Sequence, residues 1–192
     1  NKNGNILVHG TIKTGEPIES FKECDVILEE TFRTPVQAHG FLETENGVAC
    51  EEKDGTIVMT VSTQAPFRDR FEIAHALGLQ VEKIRIISPC LGGGFGGKDG
   101  STVQCLMALS ALNSGGRSVK MVWDREESFL GGYKRHMATM HYKVGVKDGT
   151  LHSLHCSLYF DTGAYAHLGG EVLGLAMEHA GGPYKIPNTL IE

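Results

Sequence analysis

Ten consecutive residues carry the densest chemistry in the chain: Cys90-Leu91-Gly92-Gly93-Gly94-Phe95-Gly96-Gly97-Lys98-Asp99. Five glycines and one phenylalanine fill six successive positions within it. Glycine has no Cβ, so the backbone amides of such a loop can come very close to a bound anion or metal–oxo group. The single ring in the middle would then lie over whatever sits there. Three readings of the loop are open on these residues alone. Gly92 to Gly97 with Lys98 fits the phosphate-loop pattern G-x-x-x-x-G-K, but Asp99 stands where Ser or Thr should bind Mg²⁺ and its charge would repel phosphate. Gly92, Gly94 and Gly97 fit the dinucleotide pattern G-x-G-x-x-G, although the acid Asp124 lies further on than that fingerprint expects. A tightly packed glycine turn with no ligand is the third.

The loop needs elements to hold it. Ile84-Arg85-Ile86-Ile87 precedes it and an apolar helical pattern from Thr102 to Leu112 follows, so the unit reads as strand, glycine loop, helix. Upstream, Val26 to Phe32 is a strand candidate, and Gly47–Glu51 and Thr56–Ser62 flank the turn Lys53-Asp54-Gly55. Ile57, Met59 and Val61 alternate with Val58 and Thr60, which predicts an inner strand. Ser62 or Thr63 is placed to cap a helix that tolerates Pro66 in its first turn, carries Phe67, Phe71, Ala74 and Leu77 at helical spacing, and stops at Gly78. Val81–Ile87 and Ser118–Trp123 read as strands, and Met137–Val146 with Leu151–Tyr159 as a long hairpin around Lys147-Asp148-Gly149. Gly170–His179 reads as a short helix. Hairpins mixed with strand–helix units predict an α+β fold with a mixed sheet. Residues 1–23, rich in Gly, Lys and Glu, read as a lead-in or linker, with the first part of a larger domain, a fragment, over residues 24–192.

Size and charge exclude several classes. A chain of 192 residues buries roughly 70% of its unfolded surface and needs no staples. With 41% hydrophobic and 21% charged residues it falls among globular proteins. The net charge of −5 argues against nucleic acid as partner. No apolar run is long enough to span a bilayer. The polar start, without a signal peptide or initiator Met, predicts a cytoplasmic protein and an excised or processed chain. The five cysteines, 24, 50, 90, 105 and 156, are widely spaced with no C-x-x-C, which predicts reduced thiols and no zinc ribbon or iron–sulfur site. His152 and His155 read as ordinary strand residues.

Several separated motifs occur in one order: His39-Gly40-Phe41-Leu42-Glu43-Thr44, Ser62-Thr63-Gln64, Leu91 to Asp99, Asp124-Arg125-Glu126-Glu127, Asp161-Thr162-Gly163-Ala164-Tyr165 and Gly182-Pro183-Tyr184-Lys185-Ile186-Pro187-Asn188. Together they resemble the molybdenum-cofactor-binding region of the xanthine dehydrogenase and aldehyde oxidase family, over about residues 24–192. The run from Gly97 to Phe129 is most similar to the molybdenum-binding subunit of bacterial three-subunit xanthine dehydrogenases.

That resemblance implies an oxidoreductase with a molybdenum–molybdopterin cofactor, hydroxylating a purine such as xanthine or hypoxanthine, or a related N-heterocycle, with water as oxygen source. Electrons would pass to [2Fe-2S] clusters and FAD on partner subunits. By the same resemblance Gln64 hydrogen-bonds a molybdenum oxo ligand, Gly94, Phe95 and Gly96 form the loop beside the metal without ligating it through side chains, and His39 and Glu43 are scaffold. Asp99 sits where purine-oxidising relatives often carry a substrate-contacting glutamate. One methylene shorter, it implies a closer substrate, a bridging water, or a substrate other than xanthine. Met177-Glu178-His179 lies where relatives place substrate-pocket residues. The family's catalytic glutamate lies beyond Glu192, so no catalytic residue is expected within this chain and the polypeptide alone is expected to be inactive. The alternatives are an aldehyde or nicotinate hydroxylase of the same family, or a nucleotide-binding or scaffolding domain that uses the glycine loop.

Overall fold

The computed structural model describes residues 4–192. In chain order its strands are β1 (Ile12–Thr14), β2 (Val26–Thr34), β3 (Gln37–Ala38), β4 (Asn46–Glu51), β5 (Ile57–Val61), β6 (Ile84–Ile87), β7 (Val119–Val122), β8 (Lys134–Arg135), β9 (Met137–Lys147), β10 (Thr150–Asp161) and β11 (Asn188–Ile191). Four helices of more than one turn accompany them: α1 (Pro66–Leu77), α2 (Gln104–Leu112), α3 (Arg125–Gly131) and α4 (Gly169–His179). Strands and helices share a mixed α+β architecture. The chain divides into two compact units, residues 37–135 and the flanking segments together.

The flanking unit is built on a five-stranded sheet of order β1-β11-β10-β9-β2, antiparallel except for the β10–β11 pair. Its long hairpin turns at Asp148 and Gly149, both with positive φ (51° and 72°) between the paired Lys147 and Thr150. An Asp-Gly pair suits this turn because both central residues must be left-handed and the resulting twist matches that of the strands. Leu154, Cys156 and Leu158 alternate inward along β10 and meet Met177 of α4 and Ile191 of β11. The segment that reads as a lead-in contributes β1, paired with β11, and a 3-10 turn at Glu19–Glu23 that buries Phe21.

The central unit holds a four-stranded sheet of order β6-β5-β4-β7, in which β5 and β6 are parallel and the other pairs antiparallel. Ile57, Met59 and Val61 of β5 point into a core with Ile73 and Ala74 of α1 and Met107, Ala108 and Ala111 of α2. β5 is an inner strand, but its other face is open: Val58 is half-buried and Thr60 exposed, because both helices pack on one side. α1 and α2 are joined by a buried polar link in which Gln104 Nε2 donates to Asp69 Oδ2 at 3.2 Å. Burial raises the Asp69 carboxyl, against the opposing pull of hydrogen bonds from Thr63 and Gln104.

Local chemistry departs from the sequence expectation at several ends. α1 begins at Pro66 with Ala65 as N-cap and no side-chain cap; the Thr63 hydroxyl instead accepts the Ala65 N–H at 3.0 Å, a turn that precedes the helix. Gly78 closes α1 in the left-handed conformation at φ 67°. Of the four apolar positions spaced along α1, Ala74 is buried and Leu77 packs against the core, while Phe67 and Phe71 are exposed. The strand expected at 81–87 is a 3-10 turn at Val81–Lys83 followed by β6. α3, absent from the sequence expectation, is fixed by a reciprocal capping box between Asp124 and Glu127.

Candidate functional site

The glycine loop joins β6 to α2 in the central unit; Gly94, Phe95, Gly96 and Asp99 lie on it and Gln64 against it. Gln64 leaves the end of β5 and turns its side chain onto the loop. Its Oε1 accepts the N–H of Gly96 at 3.0 Å and the N–H of Lys98 at 3.1 Å, and its own N–H donates to Lys98 O at 2.9 Å. Two amide donors require the carbonyl oxygen of the side chain, so the orientation of the carboxamide follows from its bonds. The NH₂ end is thereby turned away from the loop amides, on an exposed side chain. Gly94 is buried beneath it, and a Cβ there would lie 2.7 Å from Gln64 Cδ. Only a residue without a side chain lets the carboxamide lie flat on the backbone.

Phe95 is the tip of the loop. Its ring is 74% exposed, and its backbone is left-handed at φ 54°. A bulky residue in that region costs about 1 kcal/mol or more and persists where the surroundings over-determine it. The loop therefore stores backbone strain while presenting an aromatic face to solvent.

Below the loop lies a polar cluster whose roles the sequence does not disclose. The Lys98 side chain has no exposed surface. Its Nζ donates to Glu43 O at 2.6 Å, Ser62 Oγ at 2.8 Å and Glu43 Oε2 at 3.2 Å, and lies 4.7 Å from the centroid of the Phe41 ring. Glu43 Oε2 also accepts from Gly92 N at 2.7 Å and Ser62 Oγ at 2.9 Å, while Oε1 accepts from Asn46. Burial raises the Glu43 carboxyl, but the bonds from Gly92, Asn46, Ser62 and Lys98 outweigh it and hold the group at about 2. Glu43 and Lys98 thus clamp the two ends of the glycine run from beneath.

The same cluster bears on the nucleotide alternatives. A phosphate-loop lysine must reach its anion, whereas the three protons of Lys98 are all engaged inside the protein. Both phosphate patterns also need a helix to start directly behind the glycines. Here α2 starts at Gln104, several residues past Gly97.

Asp99 follows Lys98 and is shared with α1. Arg68 Nη1 donates to Asp99 O at 3.1 Å and stands 3.6 Å from Asp99 Oδ2. One turn further along α1, Glu72 Oε2 accepts the N–H of Ser101 at 2.9 Å. Gln64, Arg68 and Glu72, four residues apart, therefore contact successive points of the loop at 96–98, 99 and 101. The sequence signal for this was present as a polar stripe at i, i+4 and i+8, overshadowed by Phe67 and Phe71. His39 packs under Gly97, whose Cβ would lie 2.8 Å from His39 Nδ1. Met177, Glu178 and His179 belong to the flanking unit. Met177 is in its core and His179 Nδ1 pairs with Leu175 O at 2.8 Å.

Comparison with known proteins gives a consistent family. A model of the molybdopterin cofactor-binding domain matches residues 1–192. The chain is 44% identical over its whole length to a probable xanthine dehydrogenase subunit of Bacillus subtilis, of which it covers 26%. It is 42% identical over 94% of its length to the nicotinate dehydrogenase large molybdopterin subunit of Eubacterium barkeri, covering 43% of that protein. The aldehyde oxidoreductase of Desulfovibrio gigas, activated with sodium dithionite and sodium sulfide, superposes with a TM-score of 0.88 and 26% identity, over 94% of this chain and 20% of that one. The chain thus spans less than half the length of each of these relatives. Among the described residues no helix is long and apolar enough to cross a membrane.

Proposed function

The chain belongs to the molybdopterin cofactor-binding domain family, and from that premise we propose that it forms one wall of the active site of a molybdenum hydroxylase acting on a purine or related N-heterocycle. When bound, the molybdenum–pterin group would pass a water-derived oxygen to the ring and take up the two electrons released. The residues of the loop fit such a group. The observation that carries the proposal is the Gln64 carboxamide, whose oxygen is taken by the Gly96 and Lys98 amides so that its NH₂ faces outward with no hydrogen-bond acceptor among the described residues. An outward NH₂ offers a neutral donor to an oxo ligand without adding charge. Gly94 and Gly96 keep the adjacent backbone bare, and the Phe95 ring offers a flat apolar surface for the heterocycle. Asp99, at the end of the loop, is the residue given to substrate contact. None of these residues is assigned the part of general base.

Three properties of the whole enzyme belong to the same proposal. Substrate identity follows the Bacillus relative, whose name is xanthine dehydrogenase, with nicotinate or an aldehyde as the second reading from the other two relatives. Electron transfer runs to iron–sulfur and FAD partner subunits. The protein is cytoplasmic, in keeping with five free cysteines.

Gln64→Glu in the full-length enzyme complex tests the central step. The new side chain keeps an acceptor for Gly96 and Lys98 but loses the outward donor. Hypoxanthine turnover is expected to fall at least tenfold, equivalent to about 1.4 kcal/mol of transition-state stabilisation, with the melting temperature unchanged. Wild-type turnover by a folded, molybdenum-loaded variant would overturn the proposal.

A further inference from the structure

The Arg68–Asp99 pair offers more than a structural tie. An isolated Asp99 would read hydrogen-bond donors on a neutral ring and repel an anion. In the structure Asp99 is not isolated: its carboxylate stands 3.6 Å from Arg68 Nη1, and the same nitrogen donates to its backbone carbonyl at 3.1 Å. The pair is close to neutral as a unit, which removes most of the repulsion toward an approaching carboxylate.

Arg68 retains capacity. Among the described residues its Nε and Nη2 have no hydrogen-bond partner, and its side chain is 40% exposed. A guanidinium anchored through one nitrogen, with the others free, is pre-organised for planar two-point binding of a carboxylate. It is held on the same short backbone run that holds Gln64, because Gln64 Oε1 binds the Gly96 and Lys98 amides and Arg68 binds the next carbonyl. The exposed Phe95 ring rises from that run as well.

We infer that Arg68, steadied by Asp99, is a specificity-determining residue that selects a flat aromatic heterocycle bearing a carboxylate over an uncharged one. The inference rests on the hydroxylase reading above and, within it, favours the carboxylated ring of the second substrate reading over the uncharged purine of the first. The backbone carbonyl of Asp99 positions Arg68, while its carboxylate stands near enough to the guanidinium to compete with a bound anion.

The test uses the full-length enzyme complex. Calorimetric titration with benzoate and with benzamide reads binding independently of turnover. Wild type is expected to bind benzoate about ten- to a hundredfold more tightly than benzamide, the range for charge-assisted bonds, and Arg68→Gln to abolish the preference. In steady-state assays Arg68→Gln should raise KM for pyridine-3-carboxylate by a similar factor while leaving its kcat within about twofold. Asp99→Asn keeps the carbonyl that holds Arg68 and removes the competing charge, so it should bind benzoate at least as tightly as wild type. Equal binding of the two probes by wild type, an equal loss of both in Arg68→Gln, or weakened benzoate binding in Asp99→Asn would each overturn the inference. A wild-type complex that hydroxylates hypoxanthine without any Arg68-dependent preference overturns the inference alone. One that hydroxylates neither ring overturns the hydroxylase reading beneath it.

Discussion

The carboxamide of Gln64 occupies the space into which a side chain at Gly94 would grow, with Cδ 2.7 Å from where that Cβ would stand. The two residues therefore act as one device: the bare backbone at Gly94 is what allows Gln64 to reach the amides of Gly96 and Lys98.

Gly94→Ala should break that device. A methyl group at this distance pushes the flexible carboxamide aside, and the cost is its lost bonds to Gly96 and Lys98, about 1 kcal/mol. Cofactor content, measured as molybdenum per full-length protein, is expected to fall together with stability measured by chemical denaturation. Normal molybdenum content in a variant of wild-type stability would contradict the role given to the contact.

Phe95→Gly should separate folding from function. Glycine relieves the left-handed backbone at φ 54°, a gain of up to about 1 kcal/mol that offsets glycine's greater entropy loss. The ring is 74% exposed, so little burial is lost. Stability is expected to hold or rise while kcat/KM falls. A variant that unfolds would show the ring to be a core element instead.

The Glu43 carboxyl lies at about 2 against an ordinary 4.5, so folding favours its ionised form. The stabilisation is complete above the ordinary value and disappears as pH falls through about 2. Discounted for the solvent its edge still sees, it amounts to about 2 kcal/mol. Glu43→Gln should therefore be less stable than wild type near neutral pH, and the gap should close as pH falls from about 4.5 toward 2. Urea midpoints at several pH values check this; a gap that stays constant with pH would remove Glu43 from the clamp.

Asp124→Ala should loosen α3. The substitution removes the acceptor for the Glu127 N–H, now 2.8 Å from Asp124 Oδ1, and leaves a helix of seven residues without its cap. About 1 kcal/mol of stability is expected to go, seen as faster amide exchange in residues 125–131. Unaltered exchange would show that tertiary packing alone holds the helix.

Local features were the legible ones. Asp148-Gly149 announced its hairpin because the turn conformation depends on two adjacent residue types. Gly78 announced the end of α1 for the same reason. β1 and β11 were not legible: three and four residues long, they exist through pairing of Ile12 with Ile191, a partner at the far end of the chain. The Asp124-x-x-Glu127 cap was visible as a pattern, but α3 behind it is too short to show apolar periodicity. At the site, Gly94 and Phe95 stood out by type, whereas Gln64 was marked only by the family resemblance. Lys98 did not disclose its burial, since a lysine loses all contact with water only when specific partners gather around it, and Glu43 and Ser62 come from other parts of the sequence. Arg68 was hidden because the eye follows Phe67 and Phe71, whereas the loop is read by the polar side of the helix.

Thr34 and Ala138 stand opposite each other across β2 and β9, although the whole central unit is strung between them. Bringing those two positions together in a featureless coil would close a loop of roughly a hundred residues at an entropic cost of about 4 kcal/mol. Prior collapse of the intervening segment around Ile57, Ile73 and Met107 shortens that search. Compaction of the stretch that carries the glycine run thus lowers the entropic cost of closing the β2–β9 ladder.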